Sequence, residues 1–258
     1  MQDILVSIIT PSYNQGDYIE ETIQSVLSQT YPHIEYIILD AKSTDKTPLI
    51  LDRYENNPRV SKIVREKDNG QADAIEKGFR MAKGQIVGWI NSDDILTEDV
   101  VEKSVRYFKE NASVGLTYGD IVFIDAQGNI INIKKPHPFI NRDYLLNTDY
   151  DVYQQGSFYR KSSVESAGYL DRNLNFCMDL DLWLGILETY EERYIGSPTG
   201  HFRWHESTKT INGGLLFLRE IYKTLGRHNA RYLPKTKRRI LWYSLKVIVK
   251  KALSRIMR

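Results

Sequence analysis

The first half of the chain alternates short apolar runs with segments of helical spacing. The apolar runs, rich in β-branched residues, cover residues 4–10, 34–40, 60–66 and 85–91. Apolar residues recur at helical spacing in residues 18–29, 43–56 and 72–84. Strands that alternate with helices at this spacing predict an α/β domain, with a mostly parallel, Rossmann-like sheet flanked by helices.

The second half of the chain has a looser pattern. Residues 97–111 and 178–190 predict helices, residues 114–133 predict short strands around a hairpin turn, and residues 134–158 predict a loop-rich crossing. We see no internal repeat and no low-complexity linker. We therefore predict one catalytic domain over 1–215, with halves of about 1–96 and 97–215, and a tail over 216–258.

Polar residues follow the apolar strands where each strand ends. In parallel sheets, ligands bind beyond the carboxyl ends of the strands, so these residues should share one rim. The strongest signal is Asn91-Ser92-Asp93-Asp94, which follows the fourth strand. Neighbouring carboxylates can hold Mg²⁺ or Mn²⁺. Acidic residues are equally common at the start of a helix, and a helix follows here.

Three further positions carry candidate chemistry, each with a plainer alternative. Asp40, at the end of the second strand, could accept hydrogen bonds from a base or a ribose, or could form an Asx turn. Asp179 and Asp181 flank Leu180 at a helix start, where one could be a general base or both could be capping residues. His205 could be a third metal ligand or a structural histidine.

Three segments taken together resemble glycosyltransferase family 2, the inverting GT-A type. They are residues 6–47, which contain "TPSYN", residues 65–96, which contain "NSDD", and residues 154–186, which contain "QQGSF" and "MDLDLW". They follow the family's order at roughly its spacing. The resemblance implies a GT-A fold and a nucleotide-diphosphate sugar donor, with UDP as the expected nucleotide.

The resemblance also implies roles for individual residues. Asp179 matches the family's catalytic base, with Asp181 as the second choice, and the metal would be Mn²⁺ or Mg²⁺ on Asp93, Asp94 and His205. The residues expected at the nucleotide sugar are Thr10, Pro11, Tyr13, Asp40, Asp73, Lys77, Asn91, Ser92 and Asp93. The residues expected on the acceptor side are Gln155, Gly156, Ser157 and Trp183.

The chain departs from the family pattern at three places. Asn91 stands where the metal motif has its first carboxylate, so the ion would rest on fewer charges. Ala41-Lys42 replaces the usual acidic-glycine continuation after Asp40, which blurs the base preference. Met178 stands where a Glu usually precedes the catalytic Asp.

The charge is distributed unevenly along the chain. The net charge is +2, yet twelve Lys and Arg residues and no acidic ones follow Glu220, and subtracting these twelve leaves −10 for residues 1–220. Leu241, Leu245, Ile248, Ala252 and Ile256 form an apolar stripe among them. This pattern predicts a basic amphipathic helix that lies on an anionic membrane, or one packed on the domain with a solvated basic face.

Composition and missing motifs bear on the location of the protein and on the alternative functions. A single cysteine, no secretory signal and no long apolar stretch predict a cytoplasmic protein, at the inner face of the membrane if the tail binds lipid. The family resemblance implies a saccharide acceptor, and membrane contact by the tail would fit a lipid-linked saccharide. No nucleic-acid motif accompanies the charge. Two alternatives to a glycosyltransferase remain. One is a nucleotidyltransferase, which should carry a Gly-rich phosphate loop, and the other is a non-catalytic nucleotide-sugar-binding module. No Gly-x-Gly-x-x-Gly follows the first strand, which disfavours a dinucleotide-binding domain.

Overall fold

Nine strands in the described part of the chain form one mixed sheet. The computed structural model describes residues 3–148, 151–206 and 208–228, with Arg238, Leu241, Trp242, Leu245 and Lys246 beyond them. The strands are β1 Val6–Ser12, β2 Ile34–Asp40, β3 Val60–Arg65, β4 Ile86–Trp89, β5 Ile95–Leu96, β6 Val114–Ile124, β7 Ile130–Lys134, β8 Phe158–Arg160 and β9 Glu191–Arg203. The helices are α1 Ile19–Leu27, α2 Thr47–Asp52, α3 Gln71–Met81, α4 Val100–Glu110, α5 Arg142–Asn147, α6 Lys161–Ser166, α7 Met178–Ile186 and α8 Lys209–Arg227.

The order of the strands confirms the α/β prediction. The sheet runs β3-β2-β1-β4-β8-β6-β9-β5, with β7 paired to β6. Strands β1 to β4 are mutually parallel, β6 and β9 are also parallel, and β8 runs antiparallel to β4 and β6. The first four strands therefore direct their carboxyl ends to a single edge of the sheet.

Alternate residues of the central strands supply two hydrophobic cores, one on each face of the sheet. Ile9 and Ile37 face the core that holds Phe79 of α3. Ile8 and Ile38 face the core that holds Ile23 of α1. Because successive strand residues point to opposite faces, these apolar runs are buried by helices on both sides.

The second half of the domain differs most from the pattern of the sequence. The 13-residue strand β9 was not predicted, because polar residues, glycines and a proline interrupt its apolar positions. The predicted helix over 178–190 ends at Ile186, and α5 lies inside the predicted loop-rich crossing. The helix α3 ends at Met81 and not at Gly84. A Cβ on Gly84 would lie 2.7 Å from the Leu5 carbonyl oxygen, so that glycine serves close backbone packing.

The backbone of α8 is broken at Gly214 (φ 49°, ψ −126°), and the second part of the helix continues past the predicted boundary between residues 215 and 216. Ile221 and Leu225 of α8 are buried in the core beneath α7. Arg227, in its last turn, pairs with Asp171 and Asp181. The structure thus joins residues 216–227 to the catalytic domain, because their apolar face completes its core.

Only part of the predicted basic tail lies within the described residues. Leu241 and Leu245 of the predicted apolar stripe are helical and exposed, whereas Ile248, Ala252 and Ile256 lie outside the described residues. Over the part of the chain that the structure describes, every helix is too short or too polar to cross a membrane.

Candidate functional site

A cleft of about 650 Å³ opens at the carboxyl ends of β1 to β4. Loops that follow all four strands line one side of it, and the segment before α7 and the start of α8 line the other. The lining residues are Pro11, Ser12, Tyr13, Gln15, Ala41, Lys67, Asp68, Gly70, Gln71, Trp89, Asn91, Ser92, Asp93, Gln154, Gln155, Asn175, Phe176, Met178, Asp179, Phe202, Thr208 and Lys209. Of the polar residues predicted at the strand ends, Asn91, Ser92 and Asp93 line this cleft, which lies where the topology rule places ligand sites.

Asp93 and His205 meet at the end of this cleft that follows β4. The Nε2 atom of His205 lies 3.0 Å from Oδ2 of Asp93, although 112 residues separate them in the chain. Asp93 lines the cleft, while the His205 side chain is almost fully buried behind it. Carboxylate oxygen is a preferred ligand of Mn²⁺, and imidazole nitrogen suits Mn²⁺ less well but does bind it. Within the described residues, no group of three or more His, Cys, Asp or Glu side chains could hold a metal.

Asp94 has a different environment from Asp93. Its side chain is 1% exposed and does not line the cleft. Oδ1 accepts a hydrogen bond from the Arg203 backbone N–H, and Oδ2 accepts hydrogen bonds from the side-chain amides of Asn91 and Gln155. Burial and then the charge of Asp93 raise the pKa of Asp94 well above its usual range, although these donors oppose the shift. Both oxygens of Asp94 are thus engaged by the protein itself.

The side chain of Asn91 links Asp94 to the mouth of the cleft. Lys209 Nζ donates to Gln71 Oε1 at 3.0 Å, Gln71 Nε2 donates to Asn91 Oδ1 at 2.6 Å, and Asn91 Nδ2 donates to Asp94 at 3.0 Å. An ammonium group can only donate and a carboxylate can only accept, which fixes the direction of both amides. A carboxylate in place of Asn91 would face Asp94 with no proton to donate, so the amide suits this position.

Arg203 fixes the backbone of the turn that bears both carboxylates. It is fully buried, its Nε donates to the Asp93 carbonyl oxygen at 2.9 Å, and Nη2 pairs with Glu21 of α1. Arg203 ends β9, so the position of the turn depends on a strand about 110 residues away in the chain.

Asp179 and Asp181 lie on different sides of α7. Asp179 lines the cleft, and its Oδ1 accepts a hydrogen bond from the Leu180 N–H at 2.8 Å. Asp181 does not line the cleft and contacts Arg227 at 3.2 Å and His228 at 3.0 Å. Of the two candidate bases, only Asp179 faces the cavity that Asp93 also lines.

Helix α8 holds the backbone that leads to Asp179. One carboxylate oxygen of Glu220 accepts hydrogen bonds from the N–H groups of Asn175, Phe176 and Cys177 at 3.1, 2.7 and 2.9 Å. These three N–H groups precede the first residue of α7, and a side chain from another element satisfies them. Asp179, two residues after Cys177, is thereby connected to α8.

Comparison with known proteins identifies the class of this cleft. The family model described as "Glycosyl transferase family 2" matches residues 7–168, more than half of the chain. The chain belongs to glycosyltransferase family 2. It is 32% identical over 221 residues to the putative teichuronic acid biosynthesis glycosyltransferase TuaG of Bacillus subtilis. The aligned residues cover 80% of this chain and 85% of TuaG.

Solved structures show that this glycosyltransferase has the predicted GT-A fold. The mannosyltransferase PcManGT from Pyrobaculum calidifontis, in complex with GDP-Man and Mn²⁺, superposes with a TM-score of 0.68 at 19% identity, over 99% of this chain and 76% of PcManGT. S. aureus TarS 1-349 in complex with UDP-GlcNAc superposes with a TM-score of 0.66 at 18% identity, over 95% of this chain and 72% of that one.

The residues expected at the nucleotide sugar divide into two groups. Pro11, Tyr13, Asn91, Ser92 and Asp93 line the cleft of the glycosyltransferase. The others do not line it, and they are Thr10, Asp40, Asp73 and Lys77. The ring of Tyr13 is 60% exposed at the rim, where a flat group could pack against it.

The two buried carboxylates of the second group have partners in the protein. Asp40 accepts hydrogen bonds from the N–H and the hydroxyl of Ser43, three residues further on, whereas the Asx turn considered for it would use the N–H two residues on. Its neighbour Ala41 lines the cleft. Asp73 pairs with Lys77 at 2.9 Å. Burial acts to raise the pKa of Asp73, but hydrogen bonds from Lys77 and Asn69 outweigh it and lower that pKa.

On the expected acceptor side, only Gln155 lines the cleft. Gly156 has φ +72°, and a Cβ there would lie 2.3 Å from the Thr199 carbonyl oxygen, so glycine is required for the local packing. Ser157 is 1% exposed and donates to the Tyr153 carbonyl oxygen. Trp183 is fully buried and donates to the Tyr159 hydroxyl, so it belongs to the core and is excluded from contact with an acceptor.

Several residues important to the site were missed from the sequence. They are Gln71, Lys209 and Glu220, and the role of Arg203 in the metal-motif turn was not foreseen. Gln71 and Lys209 begin α3 and α8 and look like ordinary surface residues in the sequence. Glu220 has one distinguishing feature in the sequence, since it is the last acidic residue before the basic tail.

Proposed function

We propose that this glycosyltransferase transfers a sugar, with inversion, from a nucleotide-diphosphate sugar to a hydroxyl group of a saccharide acceptor. The observation that carries the proposal is that Asp93 and Asp179 line one cleft from two separate elements. A donor diphosphate beside Asp93 would leave its anomeric carbon between the two carboxylates. The proposed nucleotide is UDP, which is supported by the UDP-GlcNAc complex of TarS.

Asp93 and His205 are the residues that would hold a divalent ion. Their oxygen and nitrogen donors fit Mn²⁺, and the donor's phosphate oxygens and water would complete the coordination. The Mn²⁺ complex of PcManGT supports this choice. When bound, the ion supplies positive charge to the leaving diphosphate. Asp94, whose oxygens are engaged by Arg203, Asn91 and Gln155, would support the turn and not the ion.

In the proposed reaction, the carboxylate of Asp179 accepts the proton of the acceptor hydroxyl. The hydroxyl oxygen bonds to the anomeric carbon from the face opposite the diphosphate, while the bond to the diphosphate oxygen breaks. A single displacement of this kind inverts the anomeric centre. The chain contributes mainly by orienting the two substrates and by placing charge at the leaving group.

A donor screen tests this proposal. Thermal shifts are measured with UDP-, GDP- and dTDP-sugars, with and without Mn²⁺, and product formation is then followed with saccharide acceptors. We expect a shift that requires both a UDP-sugar and Mn²⁺, and a product of inverted anomeric configuration. Binding without transfer to any acceptor would favour a non-catalytic binding module. Formation of a nucleotide sugar from a nucleoside triphosphate and a sugar phosphate would indicate a nucleotidyltransferase.

We further propose that the basic tail contacts an anionic membrane and brings the cleft to a lipid-linked acceptor. Twelve basic residues follow Glu220, and Leu241, Trp242 and Leu245 are 44%, 51% and 60% exposed. Lys246 lies over the Trp242 ring, 3.5 Å from its centroid. Exposed apolar and aromatic residues among cations are typical of helices at a lipid interface.

Liposome flotation of the full chain against a truncation after Pro234, which keeps α8, tests the membrane proposal. The full chain should float with vesicles that contain anionic lipid, and neither protein should float with neutral vesicles. Equal flotation of the two proteins would reject the proposal.

A further inference from the structure

One side chain in the cleft is buried with neither of its polar atoms satisfied. Gln154 is 6% exposed and lines the cleft. Neither its Oε1 nor its Nε2 has a hydrogen-bond partner among the described residues. A buried amide without partners is unfavourable by roughly 1–3 kcal/mol per group, so native proteins rarely keep one without a reason.

The neighbouring residue, Gln155, has a side-chain amide that does find a hydrogen-bond partner within the protein. Gln155 is equally buried and lines the same cleft, but its Nε2 donates to Asp94 at 3.1 Å. Gln155 therefore has a structural partner that Gln154 lacks. The difference indicates that the partner of Gln154 is a ligand and not another part of the fold.

The position of Gln154 relative to the sheet indicates which part of a ligand it meets. The loops of β1, β2 and β3 line the nucleotide end of the proposed site, and Asp93 follows β4. Gln154 leads into β8, which pairs with β4 on the side away from β1. A donor whose diphosphate lies at Asp93 would therefore extend its sugar toward Gln154 and Asp179.

We propose that the Gln154 amide binds hydroxyl groups of the donor sugar and contributes to the choice of sugar. An amide accepts at Oε1 and donates at Nε2, and a sugar hydroxyl can do both, so one glutamine can pair with two neighbouring hydroxyls. A site that leaves a buried polar group unpaired discriminates strongly against a sugar that lacks the matching hydroxyl. This inference rests on the proposed transfer from a nucleotide sugar.

Calorimetric titration of Gln154→Met against the wild type tests the inference. UDP-GlcNAc, UDP-glucose, GDP-mannose and dTDP-glucose are each compared with their own nucleoside diphosphate, in Mn²⁺. For the sugar that the wild type binds, we expect Kd to rise by roughly 10-fold to 100-fold in the variant. The Kd of the nucleoside diphosphate should not change, because the amide does not contact it.

Two matched variants separate this role from others. Ser12 also lines the cleft with an unpartnered hydroxyl, but it ends β1 at the nucleotide end. We expect Ser12→Ala to affect the nucleotide and the nucleotide sugar alike. The melting temperature of Gln154→Met should equal or exceed that of the wild type, since it removes an unsatisfied amide. That of Gln155→Met should fall, since Asp94 loses a donor.

The outcomes distinguish the inference from the function on which it rests. If the wild type binds no nucleotide sugar of the panel, the proposed function and the inference both fail. If the wild type binds one and Gln154→Met binds it equally well, only the inference fails. A marked loss of stability in Gln154→Met, or a change confined to the KM of the acceptor, would also overturn it.

Discussion

The two sides of the cleft are built in different ways. The strand-end wall lies at and beyond the carboxyl ends of the strands β1 to β4, and its lining residues are Pro11, Ser12, Tyr13, Gln15, Ala41, Lys67, Asp68, Gly70, Gln71, Trp89, Asn91, Ser92 and Asp93. The helical wall consists of Asn175, Phe176, Met178, Asp179, Thr208 and Lys209, which precede or begin α7 and α8. The first wall carries Asp93 and the second carries Asp179.

The difference between the walls lies in what holds each of them. Parallel β-pairing positions the strand-end wall, so its residues reach the cleft through the strands to which they are attached. The helical wall depends on contacts from α8, since Glu220 binds the backbone before Asp179 and Lys209 donates to the Asn175 carbonyl oxygen. A reaction that uses both Asp93 and Asp179 therefore depends on the packing of α8 as much as on the pairing of the strands.

The largest expected effect comes from the helical wall. Asp179→Asn should lower kcat by roughly 10²-fold to 10⁴-fold, because the acceptor loses its general base, while donor binding persists. Asp181→Asn is the matched control and should keep most of the activity, since Asp181 pairs with Arg227 and His228 outside the cleft. Transfer kinetics and donor titration measure both. Similar losses in the two variants would contradict the assignment.

At the strand-end wall, substitution of Asp93 should affect nucleotide binding, whereas substitution of its neighbour Asp94 should affect the stability of the fold. Asp93→Ala should lower transfer by roughly 100-fold or more and remove the Mn²⁺ dependence of nucleotide binding, with little change in stability. Asp94→Ala should destabilise the fold by roughly 3 kcal/mol, because the N–H groups of Arg203, Asn91 and Gln155 lose their acceptor. Urea unfolding and nucleotide titration measure the two effects. The same profile in both variants would refute the distinction.

Glu220 tests whether α8 positions the helical wall. Glu220→Ala should lower kcat with little change in the donor's KM, and should reduce stability by roughly 2 kcal/mol, since three backbone N–H groups lose their acceptor. Glu220→Gln keeps an acceptor oxygen and should restore most of both. Kinetics and unfolding of the pair decide the matter. A stability loss with unchanged kcat would restrict Glu220 to a structural role.

The smallest effect concerns the pair of Asp171 with Arg227 at the end of α8. Burial acts to raise the pKa of Asp171, but the hydrogen bonds from Arg227 and Asn173 outweigh it and lower that pKa. A lowered pKa in the folded state adds stability above the unfolded-state pKa, and this stability is lost as pH falls through the folded-state pKa. Asp171→Asn should therefore be less stable than wild type by about 0.5–1 kcal/mol at pH 7, and equal to it in strong acid. Urea unfolding across this range measures it, and a difference independent of pH would contradict it.

The sequence predictions were accurate where the signal is local and failed where it depends on distant residues. The four parallel strands and the rim at their carboxyl ends could be predicted, because β-branched runs and strand-end turns are local signals. The predicted metal ligands Asp93 and Asp94 could not be distinguished, because both are acidic residues after one strand. Their difference depends on Arg203, Asn91 and Gln155, which surround only Asp94. Trp183 was assigned to the acceptor side, although its helical spacing with Leu180, Leu184 and Leu187 indicates the buried position that the structure shows.

Sequence by itself determined the α/β architecture, the glycosyltransferase family and some of the polar residues that line the cleft, Asp93 and Asp179 among them. Only the tertiary structure decided that Asp179 and not Asp181 faces that cleft, that Asp94 lies behind it, and that α8 belongs to the catalytic domain. The physical reason is the separation along the chain between the residues that interact. Strand and helix patterns arise from neighbours in the chain, whereas burial and hydrogen-bond partners are set by residues 40 to 110 positions away, such as Glu220 at Cys177 and Arg203 at Asp93.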